Sequence, residues 1–195
     1  MTPRIVGVAG TIGSGKDAIL MYLKSRYGVP FIAMGDFART IAGEKGILPT
    51  RDNLETISKQ CFIGLGDGCF ARMAAEEIKK HGWQVAGISG VRTTADVHAL
   101  KKIFGCDFIL LRVVVKDTEL RFRRIRQRHE ARDSEKFEDF QLQDRSEEEI
   151  FQISETASMA DLSVSNDGTL EDLHRQIDKL VAEKKLPGKT PNYNI

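Results

Sequence analysis

Residues Gly10-Thr11-Ile12-Gly13-Ser14-Gly15-Lys16 set three glycines and a lysine between a β-branched apolar run, IVGVA, and a longer amphipathic stretch. Glycines at 10, 13 and 15 let backbone N–H groups converge on phosphate oxygens, the following helix adds its positive end, and Lys16 reaches the outer phosphates as a point charge. Gly10, Ile12, Gly13, Ser14, Gly15 and Lys16 are therefore candidates to bind ATP, with Lys16 as a catalytic cation. The next position breaks the pattern. Phosphate loops carry a serine or threonine there, whose neutral hydroxyl ligates Mg2+, and this chain has Asp17. A carboxylate is a charged ligand that repels a triphosphate unless a cation lies between them, so Asp17 makes such a site more dependent on the metal.

Four further clusters could meet that loop. Gly35-Asp36-Phe37-Ala38-Arg39 begins with a turn residue, and Arg39, three positions beyond Asp36, can fork onto a phosphate. The same residues also read as an Asp36 cap with a solvated Arg39. Ser89-Gly90-Val91-Arg92-Thr93 sets an arginine just past another glycine. The run from Leu120 to His129 is basic, with Arg121, Arg124 and Arg128 on one helical face, and Arg132 and Arg145 follow. The segment 129–145 is too polar for core, and most of its charge reads as a solvated face balanced by Glu130, Glu135, Glu138 and Glu147 to Glu149. One phenylalanine and dense acidic neighbours make this run a poor nucleic-acid surface. Asn166-Asp167-Gly168-Thr169 supplies residue types that any strand-to-helix turn needs, and it is also compatible with a nucleotide beside it.

The elements that must position these clusters follow from periodicity. Segments 5–10, 31–35, 83–90, 108–115 and 162–166 are short and apolar, as strands covered on both faces are. Helical patterns lie between them, at 16–26, 36–44, 51–65, 68–80, 94–103, 117–128, 146–157 and 170–184. Thr93 and Thr169 are expected caps, the second with Asp172 in the capping-box position. Alternating strands and helices predict a parallel sheet with helices on both faces and ligands at the carboxyl ends of the strands. The tail LPGKTPNYNI has no helical period and reads as a surface extension.

Composition narrows the class. At 195 residues the chain suits one domain, and 41% hydrophobic with 29% charged residues describes a soluble globular protein. With no apolar run of about 20 residues and no signal-like N-terminus, the expectation is a cytoplasmic protein without a membrane partner. A net charge of +1 gives no global attraction to nucleic acid. Cys61, Cys69 and Cys106 form no CxxC pair and read as buried thiols, and His81, His98, His129 and His174 lack metal-ligand spacing.

Taken with their motifs, residues 4 to about 182 resemble the P-loop nucleoside monophosphate kinases and the related dephospho-coenzyme A kinases, and most of all an adenylate-kinase-related family of small P-loop proteins common in archaea. GTIGSGK is similar to the GGIGSGK loop of dephospho-coenzyme A kinases, and phage deoxynucleoside monophosphate kinases also show GKD, so Asp17 has company among active enzymes. GDFAR resembles the GDxxR segment, which implies that Gly35, Asp36 and Arg39 bind the acceptor's monophosphate. SGVRT stands where these families have DGFPRT or DGIR, which makes Gly90 and Arg92 a second acceptor clamp and puts Ser89 in place of an aspartate that helps to hold hydrated Mg2+. The basic run resembles their lid, implying that Arg124, Arg128, Arg132 and Arg145 close over the phosphates, with Arg128 and Arg132 catalytic. NDG is similar to a loop beside the donor adenine, which implicates Asn166 and Gly168.

Two departures from the family pattern are complementary: a carboxylate, Asp17, where it has a hydroxyl, and a hydroxyl, Ser89, where it has a carboxylate. A reciprocal exchange keeps one of each near the metal; the other reading is two separate losses. The resemblance implies a three-layer α/β/α P-loop fold with a five-stranded parallel sheet and a small helical lid. It further implies one kinase domain over 1–185, with acceptor-binding helices at about 36–80, a lid at about 120–146 and a tail at 186–195. The implied activity is transfer of the γ-phosphoryl of ATP, with Mg2+, to a nucleoside or deoxynucleoside monophosphate by a monomer or homodimer. Dephospho-coenzyme A as acceptor, or a nucleotide-binding switch with slow NTPase activity and no acceptor, stay open.

Overall fold

The near-continuous apolar runs become a parallel sheet because both of its faces are covered. The computed structural model describes residues 3–128 and 133–188. Strands β1 (Arg4–Ala9), β2 (Phe31–Ala33), β3 (Val85–Ser89), β4 (Phe108–Val114) and β5 (Leu162–Ser165) are ordered β2-β3-β1-β4-β5, all parallel. Helices α1 (Lys16–Tyr27), α2 (Gly35–Glu44), α3 (Arg51–Leu65), α4 (Cys69–Lys80) and α5 (Thr94–Phe104) alternate with the first strands. Then come α6 (Thr118–Arg128), α7 (Phe137–Phe151), α8 (Ile153–Ser158) and α9 (Leu170–Ala182). The expected three-layer α/β/α P-loop architecture is the one observed.

Alternation along β1 divides the core. Ile5 and Ala9 point into one layer with Ile88, Leu110 and helices α2, α4 and α5. Val6 and Val8 point into the other, against α1 and α9 through Leu20, Leu23, Leu173 and Ile177. Register then does the positioning. Val8 and Ala33 both pair with Ser89, so β1, β2 and β3 end at one level and deliver Gly10, Gly35 and Gly90 to a single rim.

Both expected caps form full boxes: Thr93 with Asp96, and Thr169 with Asp172. Four expectations are corrected. The helix expected at 146–157 is two helices, α7 and α8, broken at Gln152 with φ 51°. The segment judged too polar for core contributes Phe140, fully buried with Ile12 and Ile125 and flanked by Phe122 and Phe137; two phenylalanines at helical spacing suffice to dock a helix whose other faces are charged. The start of the expected tail is also core, since Leu186 is buried beside Leu180 and Val181. Of the cysteines, Cys69 is buried, Cys61 half-buried and Cys106 exposed, which corrects the reading of all three as buried. No helix of the described residues is long and apolar enough to cross a membrane.

Candidate active site

The loop after β1 wraps the lysine. Lys16 Nζ donates to the carbonyl oxygens of Gly10 and Thr11, each at 2.8 Å. Burial of the ammonium by the loop, then the positive charge of Arg92, lowers its pKa to about 8, while Glu147 and Asp17 oppose the shift. Two glycines here are required by their surroundings. Gly13, at φ 73°, has the Arg121 carbonyl oxygen 2.6 Å from where a Cβ would sit, and Gly15, at φ 93°, has the Asn166 amide pressed against the same position. Ser14 is fully buried: its N–H donates to the Thr11 carbonyl at 3.3 Å, its own carbonyl accepts from Asn166 Nδ2 at 2.8 Å, and its hydroxyl has no hydrogen-bond partner among the described residues.

Asp17 and Ser89 meet. Ser89 Oγ donates to Asp17 Oδ1 at 2.5 Å, across the β1–β3 pairing that sets their helix and strand ends side by side. One carboxylate and one hydroxyl therefore share a point beside Lys16. Both line a small space that also admits Arg39, Arg92 and Arg128. Among the described residues no group of three or more His, Cys, Asp or Glu could hold a metal.

On one side of this junction lies a cleft between α1, α6 and the β5–α9 turn, lined by Gly15, Lys16, Arg124, Arg128, Asn166 and Leu170. Arg124 Nη2 reaches the Gly168 carbonyl at 3.5 Å, and its Nη1 is buried without a hydrogen-bond partner among the described residues. Desolvation lowers the pKa of this guanidinium, and a ligand acceptor in the cleft would satisfy it. On the other side is a cavity of about 270 Å3 among α2, α3, α5 and α7, where Arg39, Arg51 and Arg92 face Phe62, Phe70 and Phe151. Asp96, in its wall, accepts from the Arg92 and Thr93 N–H groups through Oδ2, while Oδ1 is buried without a partner among the described residues.

Residues 9–141 match a family model described as an AAA domain. The chain is also 31% identical over 179 residues to a UPF0200 protein of Thermococcus onnurineus, covering 91% of this chain and 96% of that one. The chain belongs to this AAA-domain family and to the UPF0200 proteins. Among solved structures, TT1252 from Thermus thermophilus superposes with a TM-score of 0.65 at 21% identity, over 94% of this chain and 98% of that one. A shikimate kinase from Acinetobacter baumannii, solved with shikimate, gives 0.54 at 16%, over 95% and 97%. At such identities the likeness is one of fold, and the fold is that of P-loop kinases.

The fold gathers some expected residues and not others. Arg39 lines the cavity with Arg51 and Arg92 but donates back to Asp36, Nε to Oδ1 at 3.0 Å, and Asp36 itself is exposed and outside both clefts. Arg92 lies 5.2 Å over the Phe151 ring, which fixes its guanidinium at the junction. Arg128 reaches the junction and binds Asp133 twice, at 2.5 Å. Arg145 is corrected: it is exposed on α7 and lines neither cleft, because the helical turn that buries Asp144 and Glu147 points it outward. Arg132 lies outside the described residues.

Three residues of the UPF0200 site had no clear signal in the sequence. Arg121, expected beside Arg124 and Arg128, is buried; it forks onto Asp144 with two 2.7 Å bonds, donates to the Ile12 carbonyl at 3.1 Å, and so ties α6 and α7 to the loop after β1. Arg51 and Glu147 meet at 2.7 Å in the cavity wall. Glu147 was grouped with the solvated acids, and only its two arginine neighbours, distant in sequence, distinguish it from Glu148 and Glu149.

Proposed function

We propose that the chain is an ATP-dependent phosphotransferase whose acceptor is a nucleoside or deoxynucleoside monophosphate. The observation that carries this reading is the junction itself, where Lys16, Asp17, Ser89, Arg39, Arg92 and Arg128 face one small space between two clefts. Transfer of a phosphoryl group between two anions needs cations on both sides of one point and a site that excludes water. The donor's outer phosphates lie on the loop N–H groups and Lys16, with Arg124, Asn166 and Gly168 along the rest of the nucleotide. Arg39 and Arg92 hold the acceptor phosphate, and Arg128 comes from the lid helix. An acceptor phosphate oxygen is already a nucleophile, so positioning and charge stabilisation make up most of the catalysis.

The oxygen donors Asp17 Oδ1 and Ser89 Oγ fit Mg2+, which takes one or two protein ligands and completes its shell with water and phosphate oxygens. Bound there, the ion would supply charge neutralisation between the phosphates and the Asp17 carboxylate. The contact between the two side chains supports a reciprocal exchange over two separate losses. Three phenylalanines around the cavity and the partnerless Asp96 Oδ1 suit a flat ring that carries an N–H donor, which favours a nucleobase.

The test is ADP release from ATP and Mg2+ across AMP, CMP, the deoxynucleoside monophosphates and dephospho-coenzyme A. Strong stimulation by one monophosphate is the expected outcome. Stimulation by dephospho-coenzyme A alone would replace the acceptor class, and tight nucleotide binding without any stimulation would make the chain a switch.

A further inference from the structure

A single carboxylate oxygen lies between two arginines that belong to different parts of the chain. Glu147 Oε1, on α7, is 2.7 Å from Arg51 Nη1 and 3.3 Å from Arg92 Nη1. The pair is sequestered, with the Arg51 side chain 16% and that of Glu147 12% exposed. Both arginines and Glu147 line the acceptor-side cavity and the junction that holds Lys16 and Asp17. The segment before α7 offers a second carboxylate in the same manner: Asp133 meets Arg51 at 3.3 Å and Arg128 at 2.5 Å.

Guanidinium groups bind carboxylate and phosphate through the same fork of donors. Two of them this close, with Arg51 largely shielded from water and Arg92 partly so, repel unless an anion sits between them. A phosphoryl group carries more charge and more acceptor oxygens than a carboxylate, so it competes for the same donors. Glu147 lies on α7, which is held by Phe140 beside Ile12 and Ile125, by the Arg121–Asp144 pair and by Phe151 against Phe62, and which is separated from α8 by the break at Gln152. α7 packs chiefly on α6 and α8, so withdrawing Glu147 leaves the strands in place.

We propose that the Glu147 carboxylate holds the place of the acceptor's phosphoryl group until the acceptor arrives, and that Arg51 is the partner of Arg92 in the clamp that receives it. This rests on the phosphotransferase reading of the junction and adds to it a clamp residue on α3 and an internal competitor. Acceptor binding then displaces Glu147, and the acceptor's affinity is set by what the phosphoryl group gains over the carboxylate.

The variants Glu147→Gln, Arg51→Ala and Arg51→Lys test it with two readouts. In steady state, Glu147→Gln lowers the acceptor KM by about tenfold, while Arg51→Ala raises it by about thirtyfold and Arg51→Lys by less, as loss of a shielded charge contact requires. With the loop filled by a non-hydrolysable ATP analogue, inorganic phosphate raises the melting temperature of Glu147→Gln more than that of the parent chain. Glu147→Asp, too short to bridge both arginines, shifts in the same direction by less and serves if the glutamine variant does not fold. An acceptor KM that rises or stays fixed in the Glu147 variants overturns the proposal, as does an unchanged KM in Arg51→Ala. The phosphate titration needs no turnover. Tighter phosphate binding by Glu147→Gln with no acceptor turned over would sustain the inference and remove the kinase reading, whereas turnover with unmoved KM would remove the inference alone.

Discussion

The two sides of the junction are built differently. Beside the loop after β1 the residues nearest the junction are contiguous, 10 to 17, with Lys16 held by the carbonyls of Gly10 and Thr11 and glycines at positive φ shaping the turn, while Arg121 and Asn166 brace it from outside. On the acceptor side Arg39, Arg51, Arg92 and Glu147 come from α2, α3, the β3–α5 turn and α7, and Arg51 and Glu147 are 96 residues apart. A contiguous site keeps its geometry by covalent connection and tolerates an open cleft. A site assembled from four elements depends on the docking of those elements, and it can therefore respond to its ligand.

The largest effect that would sharpen this contrast is on the donor side. Lys16→Ala should lower kcat by about a thousandfold, since a preorganised charge at the transferred group is lost, while ADP release assays show no compensating change in acceptor KM. Next is the strut between the two sides. Arg121→Met leaves Asp144 without its bidentate partner, and because the arginine side chain is 7% and the aspartate 22% exposed, thermal unfolding should report a loss near the low end of about 3–5 kcal/mol. A loss below about 1 kcal/mol would mean that the lid is docked by Phe140 alone.

Asp17→Asn should cut Mg2+-dependent turnover by roughly a hundredfold, about 2.7 kcal/mol. The double variant Asp17→Ser with Ser89→Asp should recover most of it, since hydroxyl and carboxylate only change places around one point. Full activity in Asp17→Asn would refute the exchange.

The Lys16 ammonium, with its pKa lowered to about 8, sets the next effect. ATP phosphates favour the charged form, so the pKa in the complex lies above that in the free protein. Affinity is then complete below about pH 8 and falls by up to about tenfold per pH unit as pH rises through the free value towards that of the complex. Calorimetry in buffers of different ionisation enthalpy should show proton uptake on ATP binding near pH 8.5, and none near pH 6.5. Smallest of all, Arg145→Ala should leave kcat and acceptor KM within about twofold, because the side chain is exposed and outside both clefts; a larger loss would return it to the lid machinery.

Most of the fold was legible because its signals are local. Apolar runs of five to eight residues mark the strands, Thr93 and Thr169 mark helix starts, and each expectation uses residues close together in the chain. The donor loop was legible for the same reason. The lid was not. A pattern with charges on most faces hides the narrow stripe of Phe137, Phe140 and the buried Glu147, since whether such a stripe is covered depends on what lies opposite. Arginine is ambiguous in the same way: Arg121, Arg124 and Arg128 share a helix and a residue type, yet one is a buried strut, one lines the donor cleft and one reaches the junction.

By itself the sequence determined the parallel sheet and the glycine-rich loop with Lys16 and Asp17 at its end, because each is written in neighbouring residues whose backbone geometry follows from glycine, β-branching and capping. That Ser89 touches Asp17, that Arg51 and Arg92 share Glu147, and that Arg145 faces water were decided only by the tertiary structure. Side chains far apart in the chain meet through strand register and helix docking, and these are settled by the whole core at once.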